Sequence, residues 1–142
     1  MSDANEVVLR LQAQGDHSEE EVRSQLERRG FSRMEIEAAL HWGRDHAALS
    51  DGRASESTVH QELQKRRGSL RIQAKLEQRG LDPASFSSSS KDELERAKGA
   101  LLPRVFRYKD TPLKAAAFLA RQGFEEDIAM AAVEALIGLP EE

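Results

Sequence analysis

Apolar positions recur every three to four residues along nearly the whole chain, a period that predicts helices rather than strands. Val22 and Leu26 stand four apart. Beyond Gly30, Met34, Ile36, Ala39 and Leu40 continue the pattern, and Leu94, Ala97, Leu101 and Val105 share one side of a later segment. Sustained alternation and runs of β-branched or aromatic residues are missing. Helix starts are written as Ser18 with Glu21, Ser32 with Glu35 and Ser90 with Glu93. Each is a Ser-x-x-Glu box, in which hydroxyl and carboxylate satisfy amide donors that the first turn leaves orphaned. Thr111 followed by Pro112 reads as an N-cap with proline at the first helical position, where its missing N–H is harmless. The fold class expected is all-α.

The pattern also repeats on a longer scale. QLERRGFSRMEIEAAL at 25–40, AKLEQRGLDPASF at 74–86 and AFLARQGFEEDIAMAAVEAL at 117–136 share Leu-x-x-x-Gly followed by a large apolar residue. Gly30, Gly80 and Gly123 lie 50 and 43 residues apart, which suits a unit of three helices. Each glycine is expected to close a helix in a left-handed conformation, with Phe31, Leu81 or Phe124 folded back on the corner. Three-helix units of this size bury too little surface alone, so neighbours must stack. The expected organisation is three tandem three-helix repeats forming a short curved solenoid: 1–48, then 49–90 with a basic central helix and a serine-rich connector, then 91–142. Their first helices fall at 7–11, 52–66 and 91–107, the last kinked at Pro103. In the second repeat the third helix is abbreviated, starting at Asp82-Pro83 and running into the solvated connector SFSSSS at 85–90.

Composition narrows the chemistry. A chain of 142 residues, 32% of them charged, buries one modest core or a row of small units. Without cysteine there is no disulfide, thiolate metal site or thiol nucleophile. The polar N-terminus and the lack of about 18 consecutive apolar residues point to a cytoplasmic protein with no membrane span.

Charge changes the picture locally. The net charge is -4, yet 63–80 carries Lys65, Arg66, Arg67, Arg71, Lys75 and Arg79 against the single acid Glu77. In a helix beginning near Ser69, Arg71, Lys75 and Arg79 recur every fourth residue beside an apolar side formed by Ile72 and Leu76. Positive charge at a helix N-terminus adds to the dipole instead of opposing it, which favours an arriving anion over stability.

Catalytic patterns are not found. His41, Asp45 and His46 lie within two turns around Trp42, but one helix supplies too few ligands for a metal, and a solvent-facing polar patch is expected. Phosphate loops, nucleophile elbows and His-Glu-x-x-His motifs are missing. Neither an enzyme nor a cofactor is expected.

LSDGR at 49–53, GSLRI at 68–72, KLEQRGL at 75–81 and AFLARQGF at 117–124 resemble the RecX family of RecA regulators, with the likeness running from Val7 to Leu136. The chain departs from the family where Ala54 and Thr58 replace usual aromatics and where Arg66-Arg67-Gly68 replaces a Gly-Tyr-Gly type of turn. The resemblance implies a non-enzymatic protein that binds RecA, lies along its nucleoprotein filament, and limits growth or activity; a monomer is expected because the repeat units already cover one another's apolar faces. The resemblance also implies weak, sequence-independent contact with DNA phosphates. Arg67, Arg71, Lys75 and Arg79 are the central contacts expected on that basis, with Lys65 and Arg66 at the edge.

GFSRMEIEAAL and GFEEDIAMAAVEAL are also similar to the corner and last helix of ubiquitin-associated domains, which would make the chain a helical adaptor without a DNA-related role. Arg29 and Gln122 stand where that family usually has methionine.

Overall fold

Local signals decide most of the helix ends. In the computed structural model, which describes residues 1–139, Ser18 and Ser32 each accept the amide of the glutamate three residues on. Glu21 and Glu35 reach back to the serine amides, completing both capping boxes. The described residues are all-α: α1 (Asp3–Gln12), α2 (Glu19–Arg28), α3 (Arg33–Asp45), α4 (Asp51–Gln64), α5 (Ser69–Gln78), α6 (Ser90–Leu101), α7 (Val105–Tyr108), α8 (Pro112–Gln122) and α9 (Glu126–Leu136). Single 3₁₀ turns lie at Pro83–Ser85 and Leu102–Arg104. The first is the abbreviated helix after Asp82. The second breaks the segment expected at 91–107, where Pro103 lacks the N–H that would continue the α ladder.

The three Gly corners are alike in hydrogen bonding. Gly30, Gly80 and Gly123 have φ of 83°, 74° and 105°. The next residue's amide returns to the helix at 3.3 Å for Phe31 to Leu26, 2.8 Å for Leu81 to Leu76 and 3.2 Å for Phe124 to Leu119. Each is a Schellman motif, completed by the glycine amide on the carbonyl of Glu27, Glu77 or Ala120.

Two start signals differ from the sequence reading. Ser89, not Ser90, caps α6, accepting the amide of Asp92 at 3.1 Å, because Ser90 is already helical and Glu93 is directed elsewhere. Thr111 does cap α8 ahead of Pro112, but its hydroxyl makes no capping bond.

The chain divides into two compact units. The first comprises residues 1–58 and 76–82; its α1, α2 and α3 pack against one another around Val8, Val22, Leu26 and Leu40, all fully buried. The second comprises 59–75 and 83 onward; α6, α8 and α9 enclose Ala97, Leu101, Leu119, Ala132 and Val133. Burying a leucine or valine of this kind stabilises a fold by about 1.5–3 kcal/mol. Helices α4 and α5 contribute residues to both units. The final residues of the expected third repeat, 140–142, lie outside the described residues.

Candidate functional site

The basic stretch begins where α4 ends. The amide of Arg66 returns to Leu63 O at 2.9 Å and that of Arg67 to Glu62 O at 3.1 Å, another Schellman closure, with Arg66 rather than glycine in the left-handed position at φ 55°. Lys65 and Arg66 are left exposed, and the Arg66 side chain runs past Gly99. Arg67 turns inward instead. Its Nη1 donates to Gln122 Oε1 at 2.7 Å, and its Nε stands 3.7 Å from Glu62 Oε2.

From there the backbone of the second unit docks on itself. Gly68 N–H donates to Gln122 O at 2.9 Å and Leu70 N–H to Gly123 O at 3.0 Å. A carboxylate also meets the start of α5: Ser69 N–H donates to Glu93 Oε2 at 3.2 Å. Glu93 is 6% exposed and pairs with Arg96, so a buried acid opposes the dipole of α5, an arrangement the spacing of Glu93 behind Ser90 concealed. Burial pulls the Arg96 pKa down while the charge of Asp92 pushes it up.

Arg71 and Lys75 are exposed on α5. Arg71 Nη1 donates to Arg121 O at 3.1 Å, and neither side chain has a carboxylate partner among the described residues. Lys65 and Arg66 share that freedom.

Arg79 belongs to the first unit and is an internal strut. Its Nε and Nη2 donate to the Glu21 carboxylate, the Nη2 bond to Oε1 being 2.8 Å. Nη2 also donates to Asp16 O at 2.6 Å, and Nη1 to Thr58 Oγ1. Ser18 Oγ donates to the Arg79 carbonyl. Burial by itself raises the Glu21 pKa, but the bonds from Arg79 and Ser18 with the charges of Arg79 and His17 outweigh it, so the net shift is downward. Ala54 and Thr58 are buried in this region, and Thr58 Oγ1 donates to Ala54 O at 2.7 Å while accepting from Arg79. Where the family likeness calls for aromatics, the chain has a hydrogen-bonded relay.

Sequence reasoning missed three further cations of the second unit. Arg107 of α7 with Lys114 and Arg121 of α8 line a concavity of about 440 Å³ together with Tyr108, Thr111 and Ala117. Lys114 and Arg121 are seven residues apart, about two helical turns, a signal present in the sequence but diluted by the alanines between them. The histidines form no such concentration. His41 Nε2 stands 3.1 Å from Asp45 Oδ2, both exposed, and His46 stacks on half-buried Trp42 at 4.7 Å.

Comparison with known proteins adds a family. Residues 6–90 match the family model described as "Protein of unknown function (DUF494)". The regulatory protein RecX of Cronobacter sakazakii is 30% identical, with 84% of each chain covered. That of Halorhodospira halophila is 29% identical over 92% of this chain and 86% of the other, and that of Vibrio vulnificus 26% over 87% and 86%. The crystal structure of RecX from Lactobacillus salivarius superposes with a TM-score of 0.81 at 19% identity, covering 94% of both chains, and so shares the fold.

Proposed function

Because the chain belongs to the RecX family, we propose that it is a non-catalytic regulator that binds RecA on single-stranded DNA and limits the growth or activity of the nucleoprotein filament. Through that contact it modulates homologous recombination and the SOS response. The observation that carries this reading is the 30% identity to a regulatory protein RecX across 84% of both chains.

The exposed cations Lys65, Arg66, Arg71 and Lys75 are the phosphate-facing contacts in this proposal, acting on the DNA backbone without reading sequence. Arg67 and Arg79 enter it as residues that hold helices in place, since each side chain already donates to an acceptor within the chain. We retain the division into repeats 1–48, 49–90 and 91–142, which the threefold Schellman corner supports. A monomer is the working state.

The test is RecA-dependent ATP hydrolysis on single-stranded DNA as the protein is added. Wild type should depress hydrolysis, increasingly so at low salt. The Arg71→Glu, Lys75→Glu variant, with helicity verified by circular dichroism, should depress it less. If wild type leaves hydrolysis unchanged at every salt concentration, the reading fails.

A further inference from the structure

Among the described residues, seven arginines and lysines form ion pairs with carboxylates, Arg23, Arg44, Arg53, Arg67, Arg79, Arg96 and Lys98, and none of them lines the concavity beside α8. Arg107, Lys114 and Arg121 do line it, no acidic residue does, and none of the three has a carboxylate partner among the described residues. Like charges gathered around one hollow repel one another, so an anion that enters it relieves that repulsion as well as adding its own attraction.

Two hydroxyl-bearing residues line the same hollow. Tyr108 is 8% exposed, its ring stacked on Phe118 at 5.8 Å, yet its hydroxyl has no hydrogen bond among the described residues. Thr111 is the N-cap of the 11-residue α8 and makes no side-chain capping bond. The first turn of α8 therefore offers its dipole and an unengaged hydroxyl at the rim of a cation-lined pocket.

We propose that this pocket binds the phosphate chain of a free nucleoside triphosphate. Its volume of about 440 Å³ falls in the range of small-molecule sites, roughly 300–1,000 Å³. The arrangement of charge separates this ligand from a nucleic-acid strand. A strand spreads its phosphates along an axis, about 3.4 Å of rise for each, and is met by cations in a row. Three cations that line one hollow from two helices, α7 and α8, instead suit a compact group whose charges sit on adjacent phosphates. Lys114 and Arg121 neutralise the phosphate oxygens, Tyr108 and Thr111 donate hydrogen bonds, and the planar Arg107 guanidinium, 5.5 Å from the Tyr108 ring, offers a face to the base or a fork to a phosphate. This site is independent of the RecA reading, and either can fail while the other stands.

The experiment is isothermal titration of the full chain, without RecA or DNA, using ATP, inorganic tripolyphosphate, AMP and a single-stranded oligothymidylate. ATP and tripolyphosphate should bind saturably, and AMP at least about tenfold more weakly, because it lacks the extended phosphate chain. Lys114→Ala should weaken ATP by about tenfold, whereas Lys98→Ala, at a lysine paired with Glu95, should leave it unchanged. Tyr108→Phe keeps the ring stack and removes only the hydroxyl, so it should weaken ATP several-fold at an unaltered melting temperature. Equal binding of AMP and ATP, no saturable binding by ATP or tripolyphosphate, or binding indifferent to Lys114→Ala and Tyr108→Phe would each overturn the proposal. So would an oligonucleotide that binds through Lys114 when ATP does not.

Discussion

The backbone of Gly68 lies directly against that of Gly123: a β-carbon on Gly68 would stand 2.5 Å from the Phe124 nitrogen and closer still to the Gly123 carbonyl group. The contact is backbone on backbone, so no side chain can rotate away. It fixes the start of α5 on the α8 corner and places Arg71 beside Arg121. Gly68→Ala should therefore destabilise the fold by about 1–3 kcal/mol, the usual range for overpacking. Gly30→Ala, which meets open space, should cost about 1 kcal/mol from its left-handed φ alone. Urea denaturation of the two variants side by side checks the order.

Arg79 and Arg71 are both arginines of α5's sequence run, but they should behave oppositely on neutralisation. Arg79→Gln removes the partner of Glu21 and strips bonds from Thr58 and the Asp16 carbonyl, so a loss of about 2–3 kcal/mol is expected in a partly exposed setting. Arg71→Gln leaves no buried group unpaired and should stay within about 0.5 kcal/mol of wild type. Thermal unfolding followed by circular dichroism separates them.

Acid should act through Glu21. Its folded pKa lies below its unfolded value, so the unfolded state binds a proton first as pH falls. The stabilisation is fully present above the ordinary carboxylate range and disappears as pH drops through that range and then through the lowered folded pKa. Glu21→Gln should be less stable than wild type near neutrality, with the gap closing in acid. Denaturation midpoints measured across the pH series check the sign; a gap that widens on acidification contradicts it.

Arg66 holds a left-handed conformation at φ 55° that a side chain resists by about 1–2 kcal/mol. Glycine relieves this but adds freedom to the unfolded chain, worth about 0.4–1 kcal/mol. Arg66→Gly should thus leave stability unchanged or raise it by up to about 1.6 kcal/mol. Under the RecA proposal the same variant should weaken the effect on hydrolysis, so stability and regulation move apart in one protein.

Ser89 and Ser90 are neighbours with unequal roles. Ser89→Ala deletes the cap of α6 and should cost about 1 kcal/mol, whereas Ser90→Ala removes nothing from the cap and should be near neutral. Chemical denaturation of both serine variants tests whether the cap lies where the structure puts it.

Sequence alone determined the helical class, the capping boxes at Ser18 and Ser32, and the three glycine corners, because each depends on residues within five positions of one another. It also brought out the exposed cations Lys65, Arg66, Arg71 and Lys75, since charge and period are written in the chain. Tertiary structure decided which of the basic residues are free. Arg67 meets Gln122 across 55 positions and Arg79 meets Glu21 across 58, and no local pattern encodes such pairs. The same holds for Glu93, whose spacing fits a capping box behind Ser90 but whose carboxylate meets Ser69 on another helix. The hollow formed by Arg107, Lys114 and Arg121 likewise exists only once α7 turns into α8. Periodicity reports which face of a helix is wet; which acceptor fills a given donor is fixed by the packing that brings distant segments within hydrogen-bond reach.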